Sequence, residues 1–364
     1  MSNIAIFVGR QHHGLKLMNI GRFLAFRGHN VYPITANNAI NIDPPQEGIG
    51  DYVHVYHYLT DKDVGDVDEY IVEKELRSNV PSFWKDYSLR EQLLSFLAFR
   101  NYLQSDDKPD AVLILHENNF WTKPLSFICE QLSIPCFAFQ EGLLRRKDQD
   151  DMRKQTFACE YSTMLFVWGE DSKRQYIEAG IQEDKIIVSG ASHLVSNRIG
   201  MDNERKRVVY FLPLLQHYHG NAQRDIEVFS AYCRKMGYDL IVRPHPFEKS
   251  LDIPFAIDNR DDIIAVITDA DVALVQHSTT ALECLVLGTP VIEVSLGKGN
   301  FIEPLHKEQQ FIPVIKSYDD LKLIETVISD DYTPLISDWI DDKIWLNGQE
   351  TLDIIANEIE AHID

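Results

Sequence analysis

The chain has 364 residues, 45% of them hydrophobic and 25% charged, with a formal net charge of −21. The length suggests two domains of roughly 150 to 200 residues, and the composition is that of a soluble globular enzyme. The negative balance argues against nucleic acid as partner and against electrostatic docking of the protein body on an anionic membrane. No apolar run reaches membrane-spanning length, and the opening segment reads as a strand with no signal-peptide layout, so a cytoplasmic protein is expected. Cys129, Cys136, Cys159, Cys233 and Cys284 are scattered without Cys-x-x-Cys spacing and read as reduced packing residues.

Ile4–Val8 predicts a short apolar strand, followed by a polar loop over 9–14 and a helical pattern over Leu15–Phe26. With strand Asn30–Thr35 this makes a βαβ opening. Gly9 and Gly14 permit a tight turn, but GxGxxG is missing, so dinucleotide binding of the Rossmann type is unsupported. His12 and His13 either touch a ligand at this strand end or face solvent. Residues 40–80 are acidic and irregular, with strand candidates near Tyr52–Tyr58, and 81–104 predict one long amphipathic helix that includes Trp84.

A strand over Ala111–His116 releases His116, Glu117, Asn118 and Asn119 at its C-terminal end. A helix over Pro124–Leu132 leads to a second strand and then to Gln140, Glu141 and Gly142. Glu141 is the carboxylate best placed for chemistry, against the plainer reading of a cap or ion pair, and Gly142 allows a sharp turn. Arg145, Arg146 and Lys147 form a basic knot that is either a solvated loop or an anion contact. Strand, glycine turn, helix and strand follow up to Gly190, and 191–207 reads as a linker.

The second half repeats the rhythm: strands over Val208–Pro213, Tyr238–Pro244, Val272–Gln276 and Val291–Val294, alternating with helices. After Pro313 the chain reads as helical, through Asp319–Ser329 and Gln349–Ile363. Two strand ends stand out. One runs into Arg243, Pro244, His245 and Pro246; the other into Ser278, Thr279 and Thr280, where a helix begins that carries Glu283 and ends at Gly288. Each alone has a bland reading, a turn and a cap. Together they sit where parallel sheets bind ligands, and hydroxyls with free N–H groups at a helix start suit a phosphate. The expected fold is α/β, with two Rossmann-like domains facing across a cleft, 1–198 for the acceptor and 199–364 for the donor, and C-terminal helices packing back.

These motifs resemble known sugar-transferring enzymes. The Arg-Pro-His-Pro turn, the Ser/Thr-rich helix start with Glu283, and Leu287–Glu293 resemble the nucleotide-binding half of GT-B glycosyltransferases. The segment from Val167 to Gly190 resembles the connection before their second domain. Phe139–Gly142 resembles the acidic-Gly motif of bacterial sialyltransferases and capsule Kdo transferases, and Tyr210–Gln216 their Pro-x-x-Gln strand end with one extra leucine. The likeness spans roughly residues 1 to 300 in order and spacing, with identity at only a few dozen positions.

The resemblance implies transfer of an acidic ulosonic or nonulosonic sugar (Kdo, sialic or pseudaminic acid type) from a CMP donor. The acceptor would be a hydroxyl of a glycan or lipid-linked glycan of the bacterial surface. It implies Glu141 as base or nucleophile, and His245, with Pro246 setting its loop, on the CMP phosphate together with Ser278, Thr279 and Thr280. Gln216, Arg243 and Glu283 would complete the nucleotide side. Arg145 or Arg146 would pair with the sugar carboxylate, and Gly9, His12, His116, Asn118 and Gly142 would line the sugar and acceptor side. No cofactor or metal is expected, and peripheral contact with the cytoplasmic face of the inner membrane or with other polysaccharide enzymes stays open. Gln140 departs from the pattern, because several relatives carry an acidic residue there. The alternatives are a UDP-sugar transferase of the same fold, a UDP-sugar epimerase, a CDP-polyol phosphotransferase, and a non-catalytic protein with a vestigial site.

Overall fold

Apolar runs bounded by glycine and polar turns fold here as parallel strands, and helices between them return the chain. The computed structural model describes residues 1–9, 11–36, 48–73, 89–117, 120–141, 159–192, 206–213, 221–245, 256–258, 260, 263–276, 280–296, 312–329, 344 and 349–363, without the side chains of 11–15, 72, 73 and 349. Chain contacts divide it into two units, Met1–His193 with Lys343–Asp364, and Leu194–Asp342.

The first unit runs β1 (Asn3–Phe7), α1 (Gln11–Phe26), β2 (Asn30–Thr35), β3 (Val53–His54), α2 (Asp61–Glu73), α3 (Leu89–Gln104) and β4 (Ala111–Leu115). It continues with α4 (Thr122–Gln131), β5 (Cys136–Phe139), β6 (Met164–Val167), α5 (Glu170–Glu178) and β7 (Ile186–Val188). Its seven strands among the described residues are parallel, in the order β3-β2-β1-β4-β5-β6-β7. Both faces are covered, which is why the strands are apolar at nearly every position. Ala5, Phe7, Val112, Ile114 and Ala138 pack with Phe99 of α3 and Leu125 of α4. Ile4, Ile6, Leu113, Leu115 and Phe137 pack on the other face with Leu17, Ile20 and Leu24 of α1.

Three expectations for this unit need correction. β1 stops at Phe7 and α1 starts at Gln11, so His12, His13 and Gly14 lie in the first turn of the helix and not in a loop. The stretch read as irregular contains α2, whose start is a reciprocal cap: Thr60 N–H donates to the Asp63 carboxylate at 2.8 Å, and Asp63 N–H to the Thr60 hydroxyl at 3.1 Å. α3 begins at Leu89, and Trp84 lies outside the described residues.

The second unit runs β8 (Arg207–Phe211), α6 (Ala222–Met236), β9 (Asp239–Arg243), α7 (Ile263–Thr268), β10 (Val272–Val275), α8 (Thr280–Val286), β11 (Val291–Val294), β12 (Val314–Ile315) and α9 (Leu323–Ser329). Its five parallel strands among the described residues are ordered β12-β11-β10-β8-β9. Gly288, at φ 76°, ends α8: its N–H donates to Leu285 O at 2.9 Å and that of Thr289 to Cys284 O at 2.8 Å, and Pro290 then opens β11. β12 was not foreseen, since two residues after Pro313 are too short to show an alternation.

The last helix, α10 (Gln349–Ile363), one of the C-terminal helices expected to pack back, packs in the first unit. Ile355, Ala356 and Ile359 complete the core beneath α1, and Arg27 donates to Asn357 at 2.9 Å and Glu360 at 2.6 Å. Among the described residues no helix is long and apolar enough to cross a membrane.

Candidate active site

In the first sheet the chain builds outward from β1 on one side and from β4 on the other, so the order reverses between these two neighbours. Ligands of open parallel sheets bind outside the strand C-termini at such a reversal. Beyond β1, Val8 extends the ladder through its N–H to Ile34 O at 2.9 Å, and Gly9 makes the turn. A Cβ at Gly9 would lie 3.0 Å from Phe7 Cε1 and 3.2 Å from Trp121 Cε3, so the turn runs tight against two aromatic rings.

Beyond β4 stands His116. Its N–H donates to Phe139 O at 2.9 Å, and its φ of 43° then turns the chain out of the sheet. Leu115 is in register with Phe139, which places the residues after β4 beside those after β5. The outcome is a contact of 2.5 Å between His116 Nε2 and Glu141 Oε2, with side-chain exposures of 18% and 33%. A carboxylate bonded to an imidazole can take a proton from a hydroxyl and share it across the pair. Glu141 is the more exposed partner.

The supports of this pair are specific. Gln140 is buried, and its side-chain oxygen accepts the Trp168 N–H at 2.9 Å. Lys16 Nζ donates to the carbonyl of Glu141 at 2.9 Å. Glu117, also buried, accepts the N–H groups of Tyr161 and Ser162 at 2.8 and 3.0 Å. Lys16, Leu115, Phe139, Gln140, Trp168 and Ser192 border a shallow depression, with room for about 10 Å³, at the strand ends. Sequence reasoning missed Lys16, Glu117 and Trp168 as parts of this site. The only signal for Lys16 was a cation within the apolar stretch Leu15–Met18.

In the second sheet the order reverses between β8 and β10. Of the expected phosphate-binding residues, Arg243 and His245 stand at the end of β9 and Thr280 opens α8. Arg243 closes β9 and donates through Nη1 to Asp258 O at 2.8 Å, holding the segment that pairs with Val242. Half-buried His245 follows the buried Pro244. Gln276, buried at the end of β10, accepts from the Tyr210 hydroxyl at 3.4 Å, and Thr280 and Glu283 belong to the first turn of α8. Gln216, Pro246, Ser278 and Thr279 lie outside the described residues, as do Asn118, Gly142, Arg145, Arg146 and the side chain of His12.

All five cysteines are free and buried, and burial pushes the Cys159 and Cys233 thiols up to about 12, as suits packing residues. Among the described residues no group of three or more His, Cys, Asp or Glu could hold a metal ion.

No protein-family model matches the sequence, and no curated protein sequence matches it. Solved structures do. The UDP-GlcNAc 2-epimerase of Methanocaldococcus jannaschii, in complex with UDP-GlcNAc and UDP, is 15% identical with a TM-score of 0.60, over 98% of this chain and 99% of that one. The calicheamicin glycosyltransferase CalG4 is 13% identical at TM-score 0.60, over 100% and 98%. The glycosyltransferase of kitacinnamycin is 14% identical at TM-score 0.61, over 100% and 99%. At such identities the likeness establishes the fold: two parallel α/β units of the GT-B type.

Proposed function

We propose that this protein is a metal-independent GT-B enzyme acting on a nucleotide sugar of the UDP type, with transfer of the sugar to a hydroxyl acceptor as its reaction. The observation that carries the reading is the His116–Glu141 pair at the order reversal of the first sheet. In the reaction, the acceptor hydroxyl gives its proton to Glu141, which shares it with His116. The hydroxyl oxygen bonds to the anomeric carbon as the bond from that carbon to the nucleotide phosphate breaks, and the nucleoside diphosphate leaves with the electron pair. Charge gathers on the leaving phosphate, where fixed donors contribute most. Within the second unit, we assign nucleotide binding to His245 and Thr280. UDP is preferred to CMP because the solved structures of like fold include UDP-sugar epimerases, one of them holding UDP-GlcNAc and UDP. A glycan or lipid-linked glycan acceptor and a cytoplasmic location belong to the same proposal.

Epimerisation is the second reading, favoured by the epimerases of Methanocaldococcus jannaschii and Neisseria meningitidis among the structures of like fold. Thermal unfolding with UDP, UMP, CDP and CMP, on wild type and His245→Ala, tests the nucleotide, since a ligand of the native state raises Tm. Stabilisation by UDP that is lost in the variant supports the reading. A response to CMP alone replaces it with transfer of a CMP-activated acidic sugar, as the Phe139–Gly142 and Tyr210–Gln216 motifs imply. UDP release that needs an added acceptor identifies a transferase, and an altered sugar nucleotide without acceptor an epimerase.

A further inference from the structure

We propose that Glu117 is a positioning residue that holds His116 in the orientation its contact with Glu141 requires; this rests on reading that pair as the proton-handling group. Glu117 follows His116 directly, and it is only 1% exposed. A carboxylate buried this deeply is costly unless its oxygens are occupied. Here both are. Oε1 accepts the Tyr161 N–H at 2.8 Å, and Oε2 accepts the Ser162 N–H at 3.0 Å and the Ser162 hydroxyl at 2.6 Å. Three donors on one carboxyl group form an anchor.

His116 needs an anchor of this kind. Its φ of 43° lies in the left-handed region that favours glycine, and a residue so placed persists only where its surroundings over-determine it. On its amide side it is held by the bond to Phe139 O, and on its carbonyl side by residue 117, whose side chain is tied to the segment entering β6. These two restraints fix the direction of the His116 Cα–Cβ bond, and so the point from which the imidazole reaches Glu141. If Glu117 served only to tie that segment, its replacement would lower stability and leave the His116 imidazole unchanged.

The test uses the full chain labelled with ¹⁵N-histidine. The His116 Nε2 resonance, assigned as the one missing in His116→Asn and displaced in Glu141→Gln, reports the contact with no substrate present. Glu117→Gln, which turns an amide NH₂ toward main-chain N–H groups, is expected to displace this resonance in the same direction as Glu141→Gln while unfolding stays cooperative. Ser162→Ala, which removes only the hydroxyl donor, is expected to displace it less. A folded Glu117→Gln with the wild-type resonance overturns the proposal, and if Glu117→Gln does not fold, an unmoved resonance in Ser162→Ala overturns it. A displaced resonance in a protein that converts no nucleotide sugar keeps the positioning role and removes the functional reading.

Discussion

The side-chain oxygen of Gln140 accepts the main-chain N–H of Trp168 at 2.9 Å, which ties the residue before Glu141 to the end of the neighbouring strand. Gln140 is 3% exposed, so a neutral amide suits the position better than an acidic residue would. Gln140→Ala leaves a buried N–H without its acceptor and is expected to cost about 1–3 kcal/mol in urea unfolding. Gln140→Glu keeps an acceptor but buries a charge, so its carboxyl titrates above the unfolded value. Its stability relative to wild type is then highest below the unfolded carboxyl range and falls as pH rises. A variant equal to wild type at neutral pH would remove this account.

Glu141→Ala is expected to lower turnover by about 10²- to 10⁴-fold while leaving the UDP-induced rise in Tm intact. His116→Asn should fall between that variant and wild type, because it removes the partner and keeps the base. Undiminished turnover in Glu141→Ala would remove the carboxylate from the mechanism.

Arg27 binds α10 through Asn357 and Glu360, and Asp353 lies 3.6 Å from the same guanidinium. These partners are partly exposed, so Arg27→Ala is expected to cost only roughly 1 kcal/mol, less in high salt. Hydrogen exchange should quicken in α10 before the rest of the unit. Exchange that rises evenly across the unit would show that α10 is held by its apolar contacts alone.

Burial, with repulsion from His57, holds the His54 imidazole below its ordinary value. Its folded pKa is therefore depressed, and the unfolded chain takes up the proton first as pH falls. The stabilisation it contributes is present above about pH 6.5 and is lost as pH drops through and below that value. Urea midpoints should fall more steeply between about pH 7 and 5 in wild type than in His54→Gln. Parallel curves would exclude His54 as the cause.

The second half of the chain was the more legible in sequence. The start of α8 at Thr280 and its end at Gly288 were readable because a cap and a left-handed glycine are local requirements. The reciprocal cap of Thr60 and Asp63 was equally local but stood in an acidic stretch without clear apolar periodicity, so α2 went unread. Glu141 was singled out for its position at a strand end, and His116 was noted at another. Nothing in the sequence joined them, since their contact depends on the register of β4 against β5.

The sequence by itself determined the alternation of strands and helices, the two α/β halves and the polar residues at the strand ends, all of which follow from the order of residues along the chain. Tertiary structure alone decided that His116 meets Glu141, that Gln140, Lys16 and Glu117 support that pair, and that the last helix packs against α1. Each of these joins residues distant in sequence, and sheet register and packing set which of them come within bonding distance.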